Sequence, residues 1–511
     1  MAKLTISFGG GIQKPAKLGS IILKPTAGNK MAYAQNIQSD ALEYGEGLIV
    51  PGLATVTLTN NSEITGVPIA YTKSRTANAI LIIEGVLGAT NIARSVHQVT
   101  DGSTPQVETG VSETIAHSAH ASVVVRDMTI RDNIVYIVGE DGTDGWVEKD
   151  DFTGGSISFA AVTTLTTYAS GEAKILKTSD NNIYVLHGRL VDQINASDTY
   201  TAAAFTLSQG YQGTEMEEWN ELVAFAYHVG KITGIVNRKE KGRSGIVLWN
   251  FITTANFVRD VHCPANYISA MKQKPDGNLI VFGSARAGMT TLYLFTGYGF
   301  SEIYSYIGEP PRNRHSVDFD NEGNIWWQTL DGQICRYNFA QNKFDHITSI
   351  VASAGNGGLF TSLLGGTGNE WLAGAGTDAS PDTFVLARLT NGNYIGDGAA
   401  ASDAYNTPLA VSGQQFLLYN STITAITLHA NKNLATGEKV VLRFYKNGNT
   451  TSTDYLDMEF AVDGTVSAKR LVKTITEVNN FSLGVVYKQA DNLATAPPVF
   501  TAIVEYETII E

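Results

Sequence analysis

The chain has 511 residues, too many for one ordinary hydrophobic core, so two or three domains are expected. Its formal net charge is −13, which disfavours a protein that grips nucleic acid phosphates, because such binding depends on Lys and Arg. Gly is abundant at 50 residues and long Ala/Leu/Glu/Lys stretches are missing, a balance that favours strands and turns. The fold class predicted at this level is all-β.

The N-terminal segment, residues 1–68, is predicted to be an arm that leads into the first repeat. Its opening, MAKLTISFGGGIQKP, lacks the continuous apolar stretch and cleavage site of a signal peptide. The run Phe8–Ile12 is rich in Gly, but no Gly-Lys-Ser/Thr follows it, so it does not read as a phosphate-binding loop. We expect a flexible or closely packed backbone there.

A repeat of a short strand, a polar turn and an apolar strand extends over residues 69–395. The copies include LKTSDNNIYVLHGR from Leu176 and MKQKPDGNLIVFGSA from Met271, and each turn carries Asn, Asp or Gly. Successive copies lie about 46–54 residues apart, close to the period of a four-stranded propeller blade. The pattern predicts a six- or seven-bladed β-propeller, with a string of hairpins in a large sandwich as the alternative. The apolar strands are anchored at Ile80, Ile134, Ile183, Ile232, Leu279, Ile325 and Trp371.

Three further segments complete the predicted organisation. Residues 98–120 are polar and without apolar periodicity, which indicates an insertion or a long loop in the propeller. Residues 396–412 are rich in Gly, Ala, Asn and Ser and are predicted to be a linker. Residues 413–511 hold five closely spaced strand candidates, which predict a separate C-terminal β-sandwich.

Several clusters of polar residues have a functional and a structural interpretation, and the structural one is favoured in each case. His117 and His120 have the spacing of a metal pair on a helix, but their segment has the character of a loop and holds no matched ligand. The run Asp318–Asn324 resembles the front half of a calcium loop, yet other repeats place a simple hairpin turn there. Four cations form a small basic cluster that fits a solvated hairpin tip: Arg238, Lys239, Lys241 and Arg243.

Two groups of residues have the composition of a glycan site, one aromatic and one acidic. Trp326, Trp327 and Trp371 could stack on sugars, but such residues usually fill the space between blades. An acidic group could belong to a glycosidase, which needs two carboxylates across a cleft, but no second carboxylate can be paired with it. We therefore expect an exposed acidic loop formed by Glu215, Glu217, Glu218 and Trp219.

No catalytic residue, cofactor-binding residue or metal ligand is assigned from the sequence. Cys263 and Cys335 form no CxxC pair, so two buried free thiols are expected, which fits folding in a reducing cytoplasm. No run of 18 apolar residues occurs, and no membrane-spanning segment is predicted.

The first 70 residues resemble the opening of β-propeller tail proteins of short-tailed bacteriophages, called nozzle or tail stabilisation proteins. The matching pieces are a GGI-type segment at Gly9–Ile12, Asn36, Pro51-Gly52-Leu53, and the start of the first blade at Ile69–Thr72. These motifs are short and cover about a seventh of the chain. The remaining similarity is one of architecture.

The resemblance implies a non-enzymatic virion protein, assembled in the bacterial cytoplasm, that forms part of a tail tube, a nozzle or a platform for fibres. The implied partners are copies of the chain in a cyclic ring, other tail proteins such as an adaptor or fibres, and DNA that passes without specific binding. A tail-tip or fibre protein of a long-tailed phage, a glycan-binding or glycan-active propeller, and a general interaction propeller remain alternatives.

Overall fold

The computed structural model describes the chain in segments that cover most of the strands. They are residues 2–7, 31–35, 38–39, 48–49, 51–55, 67–73, 79–85, 96–100, 106–107, 124–140, 144–151, 159–168, 173–229, 243–251, 258–286, 288–340, 342–349, 356–362, 370–376, 384–394, 409–412, 415–430, 433, 439–447, 454–458, 467–488 and 500–508.

Almost all regular structure in these segments is β-strand. The N-terminal strands are β1 (Ala2–Ser7), β2 (Met31–Gln35), β3 (Gln38–Ser39), β4 (Leu48–Ile49) and β5 (Pro51–Thr55). The next strands are β6 (Val67–Lys73), β7 (Ala79–Gly85), β8 (Val96–Thr100), β9 (Gln106–Val107), β10 (Val124–Arg131), β11 (Ile134–Glu140), β12 (Gly145–Asp150), β13 (Ala160–Leu165), β14 (Ala173–Lys177), β15 (Ile183–His187), β16 (Leu190–Ile194), β17 (Tyr200–Thr206), β18 (Tyr211–Trp219), β19 (Leu222–Val229), β20 (Arg243–Trp249) and β21 (Arg259–Cys263).

The second half of the chain continues in the same way and includes one 3-10 turn, Arg314–Ser316. The strands before residue 395 are β22 (Tyr267–Gln273), β23 (Leu279–Arg286), β24 (Met289–Phe295), β25 (Phe300–Ile307), β26 (Val317–Phe319), β27 (Ile325–Gln328), β28 (Gln333–Asn338), β29 (Lys343–Ser349), β30 (Asn356–Ser362), β31 (Glu370–Gly376) and β32 (Phe384–Tyr394). The C-terminal strands are β33 (Leu409–Ser412), β34 (Gln415–Ala430), β35 (Lys439–Lys446), β36 (Asp454–Met458), β37 (Ala468–Lys488) and β38 (Phe500–Thr508).

Seven four-stranded antiparallel sheets form a closed ring in the described part of the chain. Six of them use four consecutive strands each, from β6–β9 to β26–β29, and the seventh has the order β30-β31-β32-β5. The first strands of neighbouring sheets contact one another all the way round, and β30 of the last sheet contacts β6 of the first. This arrangement is a β-propeller, so the fold class predicted from the repeats is confirmed.

The ring is closed by a strand from near the N-terminus. Pro51–Thr55 pairs antiparallel with β32, in a register that sets Leu53 opposite Leu389. The final sheet is therefore built from both ends of the repeat region, so opening the ring requires breaking a strand pair. The sequence placed this segment in the N-terminal arm, whereas the structure places it in the last blade.

Local sequence explains why the hairpins form where they do. The β10–β11 turn is Asp132-Asn133 and the β18–β19 turn is Asn220-Glu221, and all four residues have positive φ, between 47° and 68°. Such turns match the twist of paired strands and favour Asn and Asp. The second strand of each of these sheets is packed on both faces, which is why it reads as a nearly continuous apolar run. On alternate faces of these strands, Val135 and Tyr136, and likewise Val223 and Ala224, are all 0% exposed.

The predicted strand anchors fall in the second strands of their sheets, with one exception. Ile134, Ile183, Leu279 and Ile325 each begin such a strand. In the fourth sheet the second strand instead begins at Leu222, ten residues before the predicted anchor Ile232, which lies outside the described residues. The extra residues of this repeat come after its second strand, between β19 and β20. Because the predicted anchors are evenly spaced along the sequence, their spacing did not reveal that this second strand begins earlier.

The C-terminal unit contains two half-sheets that share one long strand. The first half of β37 belongs to the sheet β1-β38-β34-β37, and its second half pairs with β33 and β35. Strands that pass from one sheet to another commonly bend at bulges. Here β37 changes pairing partners near Glu477, whose φ is 58°. The side chain of Asn447 accepts the Asn479 N–H at 2.8 Å and donates to the Glu477 carbonyl at 2.8 Å. The arrangement is consistent with the predicted β-sandwich.

The N-terminal strands join the two parts of the molecule. β1 pairs with β38 and β2 pairs with β33, while β2 and β3 also contact β29 of the sixth sheet. β33 lies in the predicted linker, and β8 and β9 lie in or overlap the predicted insertion. The domain limits at 69, 396 and 413 stay predictions, but these strands connect the segments across them.

Candidate functional site: the ionic cluster at the propeller centre

The 3-10 turn Arg314–Ser316 lies in the middle of the ring of first strands. It contacts β6, β22 and β30, and its side chains reach residues of β10, β14 and β18. Asn313 caps the turn by accepting the His315 N–H at 2.9 Å. A short segment between the fifth and sixth sheets therefore touches six of the seven first strands.

Arg314 bonds to three blades at once. Its Nη2 lies 3.0 Å from Asp127 Oδ2 in the second sheet and donates to the Ile175 carbonyl in the third sheet at 2.5 Å. Its Nη1 lies 3.7 Å from Glu215 Oε1 in the fourth sheet. Its backbone N–H donates to Glu215 Oε2 at 3.0 Å, so the turn and the side chain hold the same carboxylate.

The two carboxylates also bond the backbone of the sheets. Asp127 accepts the Ile175 N–H at 3.0 Å and the Met128 N–H at 2.8 Å, which links the second sheet to the third. Glu215 accepts the Met216 N–H at 3.1 Å and lies 4.0 Å from Lys174 Nζ. Both acidic residues are almost fully buried, at 2% and 0% exposed.

His315 completes the cluster on the side of Asp127. Its Nε2 lies 2.7 Å from Asp127 Oδ1, and burial lowers the pKa of His315 to about 4 although Asp127 opposes this. At neutral pH the ring is therefore neutral and donates its Nε2 proton to the carboxylate.

Burial and the neighbouring charges together shift the pKa values of Asp127 and Glu215 in opposite directions. Burial alone would raise the pKa of Asp127, but Arg314 and His315 outweigh it and hold that pKa far below its usual range. Burial raises the pKa of Glu215, and Lys174 and Arg314 offset only part of that rise. The same charges raise the pKa of Arg314 despite its burial, so the guanidinium remains a permanent cation. The Arg314 side chain therefore forms permanent ion pairs that link blades.

Other contacts between first strands follow the same plan. The Thr129 hydroxyl accepts the Lys177 N–H at 3.1 Å, and the Thr214 hydroxyl donates to the Ile268 carbonyl at 3.2 Å. Arg131 reaches from the second sheet to the Asn195 carbonyl of the third at 2.7 Å. Polar side chains on the inner strands thus replace the backbone bonds that separate sheets cannot make with one another.

The acidic group considered for a glycan site is not an exposed loop. Glu215, Glu217 and Glu218 all lie in β18, the first strand of the fourth sheet. Glu218 accepts the Ser179 N–H at 2.9 Å, and burial raises the pKa of Glu217. Trp219 donates its indole N–H to the Gly277 carbonyl at 2.9 Å. The prediction of an exposed acidic loop was therefore wrong. The run EMEEW is part of a strand whose alternate side chains face the centre of the ring, where the carboxylates meet cations.

The tryptophans are core residues: Trp326 and Trp371 join the sixth and seventh sheets, and Trp327 joins the fifth and sixth. Trp326, Trp327 and Trp371 are each 0% exposed, and the rings of Trp326 and Trp371 stack at 4.4 Å. Trp327 donates to the Tyr306 hydroxyl at 3.0 Å. The packing interpretation of these residues is confirmed.

The segment that resembles a calcium loop is a hairpin turn. The Asp320 carboxylate accepts the Asn324 N–H at 2.8 Å, the Asn324 side-chain amide at 2.9 Å and the Trp326 indole N–H at 2.9 Å. Asp180 and Asp276 occupy the same place in other blades and accept the N–H of Asn182 and Asn278. A carboxylate used in this way fixes the turn, as an Asx turn does.

Most of the remaining residues singled out from the sequence lie outside the described part of the chain. Phe8–Ile12, His117, His120, Arg238, Lys239 and Lys241 lie outside the described residues, and Arg243 begins β20. Cys263 and Cys335 are buried free thiols as predicted, and burial raises the pKa of Cys263 to about 11.

Sequence reasoning missed the central cluster. Arg314 and His315 stand in the connection EPPRNRHS, and Asp127 and Lys174 lie in the first strands β10 and β14. The available signal was the recurrence of charged residues within the first strand of a repeat. Their meeting at one point depends on the ring, which no linear pattern displays.

Comparisons with known proteins show similarity in fold only. No family model and no curated protein matches the chain. Among solved structures, Raptor of Chaetomium thermophilum matches with 8% identity and a TM-score of 0.43, over 66% of this chain and 29% of its own. The WD40 propeller domain of Doa1 matches with 9% identity and a TM-score of 0.42, over 66% of this chain and 97% of its own.

A third similar structure is YCF48 of Cyanidioschyzon merolae, with 12% identity and a TM-score of 0.43, over 66% of this chain and 98% of its own. At such identities nothing about function transfers, and the fold assignment rests on the strand pairing itself. In the segments that the structure describes, no helix is long and apolar enough to cross a membrane.

Proposed function

We propose that this chain is a non-enzymatic structural component of a bacteriophage tail, as part of a tail tube or nozzle or as a platform for fibres. The observation that carries the proposal is the resemblance of its opening, with Gly9–Ile12, Asn36 and Pro51-Gly52-Leu53, to that family. The proposed partners are copies of the chain in a cyclic ring and other tail proteins, within the virion.

The design of the propeller supports a scaffold role. Its centre holds buried carboxylates that bond to Arg314 and to backbone N–H groups of three blades. Ties of this kind stiffen a body that must transmit force or hold its neighbours in place. The net charge of −13 suits a protein past which DNA moves without sticking.

The N-terminal strands support a role in assembly. The segment before the first blade supplies strands both to the last blade, through Pro51–Thr55, and to the C-terminal sheet, through Ala2–Ser7. The two folded parts are therefore tied by one short segment. A component of a larger particle benefits from such a join because it fixes the orientation of its surfaces.

Three observations test the proposal. Antibodies against the purified protein should label the tail of particles whose genome encodes the chain, and its gene should lie beside portal and capsid genes. Native mass spectrometry of the purified protein should detect a closed cyclic oligomer. Absence of the protein from purified particles, or release of a sugar product from a glycan by the pure protein, overturns the proposal.

A further inference from the structure

One half of the C-terminal unit is a four-stranded sheet with two open edges. Its strand order is β1-β38-β34-β37, and residues 468–478 of β37 pair only with β34. β1 pairs only with β38. On the outer side of each edge, the described residues contain no further strand. An open edge presents backbone donors and acceptors that can pair with another chain.

The two edges run in opposite directions. Each of the three strand pairs in this sheet is antiparallel, so the first and fourth strands are antiparallel to one another. A second copy in the same orientation, displaced sideways, thus brings its β1 beside β37 in an antiparallel sense. The contact is heterologous, since it joins different edges of the two copies, and it closes into a ring when the rotation between successive copies divides a full turn evenly.

Side-chain rows cross the sheet and end in matching residues. On the core face, Leu4, Val504, Ile426 and Leu471 are opposite one another in successive pairs. Val504 and Ile426 are buried, whereas Leu4 and Leu471 at the two ends are only half-buried. Joining two sheets without stagger sets Leu471 of one copy beside Leu4 of the next and covers both.

The opposite face carries an exposed apolar residue at the β37 edge. Lys3, Glu505, Ala425 and Val472 form the neighbouring row, and Val472 is 74% exposed. The carboxylate of Glu505 lies 3.1 Å from Lys3 Nζ and also pairs with Arg470. The charged residues of this row, Lys3 and Glu505, are therefore paired with one another. Val472, at the end of the row, remains exposed to solvent.

The geometry favours a second copy as the occupant, because β1 runs antiparallel to residues 468–478 of β37 and ends the same side-chain row in Leu4. Lys3 and Arg470, which lie at the two edges, each pair with Glu505 within their own copy.

We propose that residues 468–478 of β37 are the docking edge for β1 of a second copy of this chain, so that the sheet continues from one protomer to the next. The inference rests on the proposed ring, and it specifies which surfaces of the protomers meet. Main-chain pairing supplies affinity, and the end residues Leu4 and Leu471 set the register.

Cross-linking of the full-length protein tests the contact. Thr5→Cys is combined in separate variants with Arg470→Cys, Val472→Cys or Thr474→Cys, which samples three registers on the exposed face. Within one copy the two edges are three strand spacings apart, roughly 14 Å, so no disulfide forms inside a chain. The native Cys263 and Cys335 are buried and give no background.

Mild oxidation is expected to yield a ladder of covalent multimers with at least one pair, and each single-cysteine variant is expected to give at most a dimer. Val472→Lys should weaken self-association at least tenfold by native mass spectrometry, because it sets a second cation beside Lys3 of the next copy. Val258→Lys is the matched control, since Val258 is 48% exposed and lies beside β21 in the fourth propeller sheet rather than in this sheet.

The outcomes separate the two proposals. A closed oligomer that is not cross-linked by any pair and is unaffected by Val472→Lys overturns the edge contact and leaves the tail function standing. That result is expected if the edge lysines, Lys469 and Lys473, serve to prevent pairing. A monomer at every concentration also overturns the contact. Cross-linked multimers from a protein that is absent from particles support the contact and refute the tail function.

Discussion

Arg314 is the residue on which the polar centre of the propeller depends. Its guanidinium is buried with Asp127 and Glu215, where solvent does not screen the charges of the two carboxylates. Removing one member of a buried ionic group is costly because the remaining charges stay desolvated. The cluster as a whole adds less than that, since burying the charges has its own cost.

Arg314→Met is therefore expected to lower the free energy of unfolding by about 3–5 kcal/mol, because two carboxylates lose their cation. Lys274→Met is the control, since Lys274 pairs with the exposed Asp276 at 2.6 Å and such surface pairs contribute about 0–1 kcal/mol. Chemical denaturation followed by tryptophan fluorescence measures both variants. Equal losses in the two variants would contradict the role given to Arg314.

The acid stability of the protein is expected to depend on His315. Its pKa is about 4 in the folded state and about 6.5 when unfolded, so between these values only the unfolded chain takes up the proton. Stability is therefore present above pH 6.5 and is lost as pH falls toward 4, by about 3 kcal/mol for this group. Asp127, whose pKa is also lowered, extends the loss below pH 4.

His315→Gln isolates this contribution because the amide keeps a donor for Asp127 and does not titrate. Glu215 has a raised pKa and acts in the opposite sense, so the quantity to compare is the difference between wild type and variant. As pH falls from 7 to 4, the denaturation midpoint of wild type should fall relative to that of the variant. A difference that stays constant over this range would refute the assignment.

At the level of elements, the sequence predicted the hairpins better than their spacing. Asp180, Asp276 and Asp320 mark turns because each carboxylate binds the N–H of the residues that follow, a local property that a linear pattern records. The anchor at Ile232 was misplaced because strand β19 begins at Leu222, and no local residue reveals how long the next connection is. Similarly, the closing strand Pro51–Thr55 pairs with β32 more than 300 residues away, which only the ring geometry determines.

Gly245 in β20 is expected to be essential for the fourth sheet. An added Cβ would lie 2.6 Å from the Val261 carbonyl oxygen and 2.5 Å from the Tyr227 hydroxyl, and the backbone oxygen cannot move without breaking the sheet. Gly245→Ala should therefore cost about 1–3 kcal/mol in unfolding free energy. Gly299→Ala, which meets nothing within 4 Å, should stay within about 0.5 kcal/mol of wild type. A neutral Gly245→Ala would show that these strands separate more easily than described.

At the scale of the whole molecule, the sequence indicated a propeller, a linker and a sandwich as consecutive units. The repeats and the change of strand spacing after residue 413 carried that information. The sequence did not predict that β1 pairs with β38 or that β2 pairs with β33. A short strand near one terminus has no sequence signal for a partner strand near the other terminus. The units are consecutive in sequence, but the N-terminus belongs to both.

This join predicts what happens when the chain is cut between the units. A protease site engineered between residues 396 and 408 divides the chain into a propeller fragment that keeps β1 and β2 and a C-terminal fragment that begins before β33. Because β1 pairs with β38 over six residues and β2 pairs with β33, the two fragments should elute together in size-exclusion chromatography. The same cut in a variant that lacks residues 2–50 should release the C-terminal fragment, while the propeller, which retains β5, stays folded. Separation of the fragments in the otherwise intact protein would show that the N-terminal strands do not hold the two parts together.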